Sequence, residues 1–199
     1  GVKALKKAGI EVKVGVLEKE CLKLNKFFFK YISKKLPYVT LKAAQTLDGL
    51  IADTNNNSEW ISSEQSRKYV HSLRAKYDAV LIGYETARID NPKLTVRMID
   101  GRNPFRIILD SKLKLKPELN VFKMNKDKKT ILVTADENAS NKNKIKKFEQ
   151  LGVKVLFVKK NHNDRVHLKS MLKEVRKIGI ASILVEGGAK VYSAFVKQD

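Results

Sequence analysis

From residue 37 onward, short apolar runs alternate with segments whose apolar residues recur every three or four positions. The runs predict strands at residues 38–43, 79–82, 105–109, 130–134, 153–158 and 183–185. The three-to-four spacing predicts helices at 63–76, 141–151, 166–178 and from 190 onward. Ala79-Val80-Leu81-Ile82 and Ile107-Ile108-Leu109 lack polar alternation, as do strands covered on both faces of a mainly parallel sheet. The expected class is therefore α/β, with ligands gathered beyond the carboxyl ends of the strands. Residues 53–58, with three successive asparagines, read as a polar loop.

Residues 1–36 follow another pattern. Residues 2–8 look like a helix end closed by Gly9, and residues 10–14 alternate like an edge strand. Residues 17–33 have helical spacing, with Leu22, Leu24, Phe28, Phe29 and Ile32 on one face. The unit is too small to fold alone and is expected to pack on the next domain or on something absent. Lys34-Lys35-Leu36-Pro37 is the expected boundary, and Pro37 opens a new strand.

Composition narrows the class. No stretch approaches the ~20 consecutive apolar residues of a membrane helix, and no signal peptide is visible, so a cytoplasmic location without membrane partners is expected. The single cysteine, Cys21, excludes an internal disulfide and a cysteine-based zinc cluster; its place in a helical pattern predicts a half-buried apolar residue. His71, His162 and His167 lack metal-ligand spacing and read as surface or capping residues. The net charge of +20 comes from lysines scattered over every predicted element rather than from a stripe interleaved with aromatics. It favours anionic ligands such as phosphorylated metabolites and dinucleotides more than nucleic acid.

Candidate chemistry lies at the strand ends. Lys42 and small residues precede a turn at Asp48-Gly49. Ser62 or Ser63 can cap the next helix, so Trp60, the only tryptophan, falls just before a helix. Arg67 and Arg74, seven apart, share roughly one helical face. Ile82-Gly83-Tyr84 and Ile183-Leu184-Val185-Glu186-Gly187-Gly188 are both strand, glycine, helix. Paired glycines let backbone approach a phosphate, and a helix N-terminus offers it free N–H groups. Glu186 would repel a phosphate and should face hydroxyls or amines. Neither a G-x-G-x-x-G fingerprint nor a P-loop is present.

Together the segments are more specific than any one of them. L-K-x-A-x-(S/T)-L-D-G, S-x-W-I-(S/T), H-x-L-R-A, G-x-x-T-x-x-x-D-x-P-x-L-T-V-R, R-N-P-x-R-I-I-L-D-S and L-V-E-G-G occur in that order. Residues 37–199 thus resemble the reductase domain of the bifunctional deaminase–reductase of riboflavin biosynthesis, and residues 1–36 resemble the tail of its deaminase domain. The resemblance implies a dihydrofolate-reductase-like three-layer sandwich, here incomplete at its C-terminal side. It implies NADPH-dependent reduction of 5-amino-6-(5-phosphoribosylamino)uracil to the ribitylamino compound. By the same resemblance, Ser58, Arg74, Leu94, Arg97 and Glu186 match substrate-binding positions, with Arg74 and Arg97 suited to the 5-phosphate. Lys42 and Glu186 are the candidate catalytic residues. Ala44, Trp60, Thr86, Asp90, Ser111, Gly187, Gly188, Ala189, Lys190 and Val191 match NADP-binding positions, and Lys112 is a further candidate for the extra phosphate. A homodimer or homotetramer is implied for the full-length protein.

Two features depart from that family. The zinc-deaminase signature is absent, so zinc would belong only to a deaminase part not encoded here, and no metal ligands are expected. The sequence also stops within its last predicted helix, where the family continues for several strands. Two rivals remain: a reductase of the same fold acting on the undeaminated diaminopyrimidinone, and a basic nucleic-acid-binding module without enzyme activity.

Overall fold

The computed structural model describes residues 1–54 and 61–197. Among these residues, six strands form one sheet: β1 (Tyr38–Leu41), β2 (Ala79–Gly83), β3 (Phe105–Leu109), β4 (Thr130–Ala135), β5 (Lys154–Val158) and β6 (Ser182–Gly187). Their order is β1-β6-β2-β3-β4-β5, and every neighbouring pair is parallel. All five residues of β2 and all six of β4 are buried, as their unbroken apolar runs require.

Two cores cover the two faces with the period-two alternation of strands. Val80, Ile82, Ile108, Leu132 and Leu184 point to one side, where they meet Leu73 of α4 (Glu64–Lys76), Ala87 of α5 (Tyr84–Asp90), Phe122 of α6 (Asn120–Lys123) and Phe148 of α7 (Lys142–Gln150). Leu81, Ile107, Val133 and Val185 point to the other, against Met171 and Val175 of α8 (Leu168–Lys177) and Phe195 of α9 (Ala189–Val196). The molecule is thus three layers, helix on sheet on helix. Each fully buried aliphatic side chain contributes about 1.5–3 kcal/mol by leaving water.

Helix starts follow local chemistry. Ser63 caps α4 by accepting the Ser66 N–H, Asn141 caps α7 from Lys144, and His167 caps α8 from Ser170. The N-terminal region differs from its pattern. Helix α1 (Val2–Lys7) forms as expected, but residues 10–14 form no strand, because no neighbouring strand offers them a ladder. The expected helix over 17–33 divides at Asn25 into α2 (Glu18–Leu24) and α3 (Lys26–Ser33). Cys21 is exposed rather than half-buried, because α2 buries none of its side chains against the described residues. Helix α3 is tied to the sandwich: the Phe27 ring lies 5.2 Å from Tyr38 and 4.8 Å from Tyr77. Tyr31 donates from its hydroxyl to the Arg176 carbonyl at 3.2 Å.

Candidate active site

Neighbouring strands β6 and β2 send their following helices to opposite faces, α9 to one core and α5 to the other. A crevice opens where such connections diverge. Its floor demands glycine: a Cβ on Gly83 would sit 2.6 Å from Val191 Cγ2. A Cβ on Gly187 would lie 3.0 Å from Thr86 Oγ1, and one on Gly188 would lie 2.9 Å from the same atom. Thr86 and the Gly187-Gly188 turn therefore form one thin wall, with a cleft on each side.

The first cleft, about 370 Å³, gathers Lys42 from the end of β1, His71 and Arg74 from α4, Leu94 and Arg97 from the segment after α5, and Glu186 from β6. Glu186 reaches it through an irregularity in the sheet. Leu81 pairs with Val185, but Ile82 pairs with Gly187, so Glu186 is the extra residue of a bulge. Its two carboxylate oxygens accept from Arg74 Nε and Nη2, both at 2.7 Å. The side chains of this fork are only 12% and 7% exposed. Arg74 Nη1 also donates to the Thr95 carbonyl at 3.2 Å. Arg74 thus enters the cleft already joined to Glu186, whereas the motifs alone presented the two as separate substrate ligands.

His71 is buried, not a surface or capping residue, because α4 turns positions 67, 71 and 74 toward the cleft and the chain after Leu94 runs over them. Its Nδ1 accepts the Arg97 backbone N–H at 3.1 Å. Burial, aided by the nearby Arg74 and Arg97 charges, pushes the imidazole down to about 4, so it is neutral near pH 7. Tyr192 of α9 donates its hydroxyl to the Lys42 carbonyl at 2.6 Å, fixing β1 against α9. Burial and the Glu186 charge push the Tyr192 hydroxyl up, so it remains a donor.

The second cleft, about 900 Å³, is lined by Thr86, Ser111, Lys112, Lys114, Arg165, Gly188, Ala189, Lys190 and Val191. Gly188 caps α9 without a side chain, and Val191 and Tyr192 donate back to its carbonyl. The N–H groups of Ala189 and Lys190, at the start of α9, have no intrahelical partner, as at any helix start. Ser111 also has a structural task, since its hydroxyl accepts the Val166 N–H at 2.9 Å. Asp110 beside it is buried and accepts the Leu115 N–H at 2.7 Å; burial pushes its carboxyl up.

The structure therefore divides the sequence-derived candidates. Lys42, Arg74, Leu94, Arg97 and Glu186 share the first cleft with Ala44, Asp90 and Gly187. Ser111, Ala189, Lys190 and Val191 line the second, and Thr86 and Gly188 line both. Ser58 and Trp60 lie outside the described residues. Sequence reasoning missed His71 and Tyr192 in the first cleft and Arg165 in the second. The i, i+4, i+7 spacing of Arg67, His71 and Arg74 was the available signal for His71.

A family model for the RibD C-terminal domain matches residues 37–199. The riboflavin biosynthesis protein RibD of Aquifex aeolicus is 42% identical over 199 residues, all of this chain and 53% of that protein. The RibD protein of Bacillus amyloliquefaciens is 38% identical over 99% of this chain and 52% of its own length. A crystal structure from Thermotoga maritima superposes with a TM-score of 0.81 at 40% identity, over 98% of this chain and 51% of that one. It is described as a diaminohydroxyphosphoribosylaminopyrimidine deaminase/5-amino-6-(5-phosphoribosylamino)uracil reductase. The Saccharomyces riboflavin biosynthesis reductase Rib7, 23% identical with a TM-score of 0.66 over 88% of this chain and 76% of its own, shares the fold. This chain spans about half the length of the curated relatives it matches. On sequence and fold together, the chain belongs to the RibD C-terminal domain family.

Proposed function

We propose that the two clefts form the active site of an NADPH-dependent reductase that converts 5-amino-6-(5-phosphoribosylamino)uracil to its ribitylamino product. The observation that carries this is the shared wall: Thr86 and Gly187-Gly188 separate a cleft holding a carboxylate, a lysine and arginines from a larger one with a basic rim. A dinucleotide suits the larger cleft. Gly188 and the N–H groups of Ala189 and Lys190 would hold its phosphates, with Thr86 and Ser111 beside them. Lys112, Lys114 and Arg165 would suit the additional phosphate that distinguishes NADP. When bound, the nicotinamide supplies a hydride, which is chemistry no side chain can provide.

The chain's own residues would then act on the sugar. Opening of the ribosylamine leaves an imine at C1. Reduction at C1 would leave the former imine nitrogen in need of a proton. Lys42 can donate that proton from Nζ. Glu186, held by Arg74, can accept from ribityl hydroxyls or the reacting amine. Arg97, at the cleft rim, suits the 5-phosphate. Residues 1–36 are read as the tail of the preceding deaminase domain.

The test is NADPH oxidation followed by absorbance with the phosphoribosylamino-uracil as substrate. Oxidation of NADPH with this substrate and faster than with the undeaminated diaminopyrimidinone is expected. Absence of oxidation with either pyrimidine would sink the reading, and a preference for the undeaminated compound would move it to the related reductase. Glu186→Ala is expected to abolish turnover while leaving NADPH binding in place.

A further inference from the structure

We propose that His71 is the positioning residue of the substrate cleft: its neutral ring locks the Arg97 backbone so that the Arg97 side chain meets an anionic group at the rim. The inference rests on the reading of the first cleft as the substrate site. Three observations support it. His71 is only 3% exposed, yet its ring forms part of the cleft wall. Its Nδ1 accepts the Arg97 N–H, so the ring proton sits on Nε2 in the neutral form. The segment it grips is also held at two neighbouring points: Val96 donates to Asn103 Oδ1 at 2.8 Å and the Thr95 carbonyl accepts from Arg74.

The electrostatics maintain the arrangement. Arg74 on the same helix and Arg97 on the segment above oppose a proton on His71, and Glu186 at the end of β6 favours one. Burial is the largest influence and the two arginines add to it, so together they outweigh Glu186. A protonated ring would turn Nδ1 into a donor facing the Arg97 donor, and the segment would lift. Leu94, two residues before Val96, has a left-handed backbone (φ 53°), so the path into Arg97 is bent and needs the anchor.

The test uses ribose 5-phosphate, the sugar phosphate of the proposed substrate, and separately NADPH, both titrated into the protein and its His71→Leu and His71→Asn variants. His71→Leu removes the acceptor and is expected to weaken ribose 5-phosphate binding about tenfold or more, with NADPH binding unchanged. His71→Asn places an acceptor near the Nδ1 position and is expected to restore most of the loss. Equal impairment of both variants would reduce His71 to packing and overturn the proposal. So would wild-type-like binding by His71→Leu, a parallel loss of NADPH binding, or no ribose 5-phosphate binding by the unaltered protein. Failure of the unaltered protein to bind NADPH would instead count against the reductase reading, since ribose 5-phosphate binding reports on His71 independently.

Discussion

At the residue scale, the Arg74–Glu186 fork decides how the first cleft responds to change. Removing one member of a nearly buried ion pair leaves an uncompensated charge, whereas replacing both with apolar groups is often tolerated. Arg74→Met is therefore expected to destabilise the fold by about 3 kcal/mol, measured by urea unfolding. Adding Glu186→Leu should recover much of that loss. His71 gives a pH signature. Its pKa is near 4 when folded, against 6.5 for a free imidazole, so between these values the unfolded chain binds the extra proton. Its contribution is complete above pH 6.5 and is lost as pH falls toward 4. Thermal melts should show a stability decline over that window that is shallower in His71→Asn. Neither effect was legible from motifs, which name residue types but not the partner each side chain finds.

At the scale of elements, the crevice depends on places where backbone runs against side chain. Gly83→Ala would drive its methyl into Val191, a short branched side chain with little room to yield. Overpacking of this kind costs about 1–3 kcal/mol. Val191→Ala in the same chain should restore most of the melting temperature; if it does not, β2 and α9 are not the contact that matters. The strands and long helices of residues 37–197 were readable because continuous apolar runs and 3.6-residue spacing each admit one burial solution. Residues 10–14 were misread because alternation describes a strand only where a neighbour completes its ladder. The Glu186 bulge was invisible, since register is set jointly by β6 and β2. The short α6 and the 3₁₀ turn at Asp136–Ser140 carry too few residues to show a period.

At the scale of the whole molecule, the three layers hold together a sandwich and a lightly attached N-terminal segment. That segment meets the sandwich through Phe27, against Tyr38 of β1 and Tyr77 after α4, and through Tyr31, against Arg176 of α8, while Leu24, Phe28 and Ile32 are exposed. Phe27→Ala should release α3 while the sandwich persists. Hydrogen exchange is expected to accelerate over residues 26–33 and remain slow in β2 and β4; equal acceleration everywhere would show that α3 is integral to the core. Among the described residues, no helix is long and apolar enough to cross a membrane.

By itself the sequence determined the α/β class, the parallel sheet and the positions of most strand ends, because burial of apolar runs depends on periodicity, a local property. It also determined, through the ordered motifs, the family to which the chain belongs. Only the tertiary structure decided that Glu186 and Arg74, separated by 112 positions, form one fork. It likewise decided that His71 lies beneath Arg97, and that Thr86 and two glycines divide one crevice into two clefts. These are contacts between elements distant in sequence, and their geometry is set by how the layers pack.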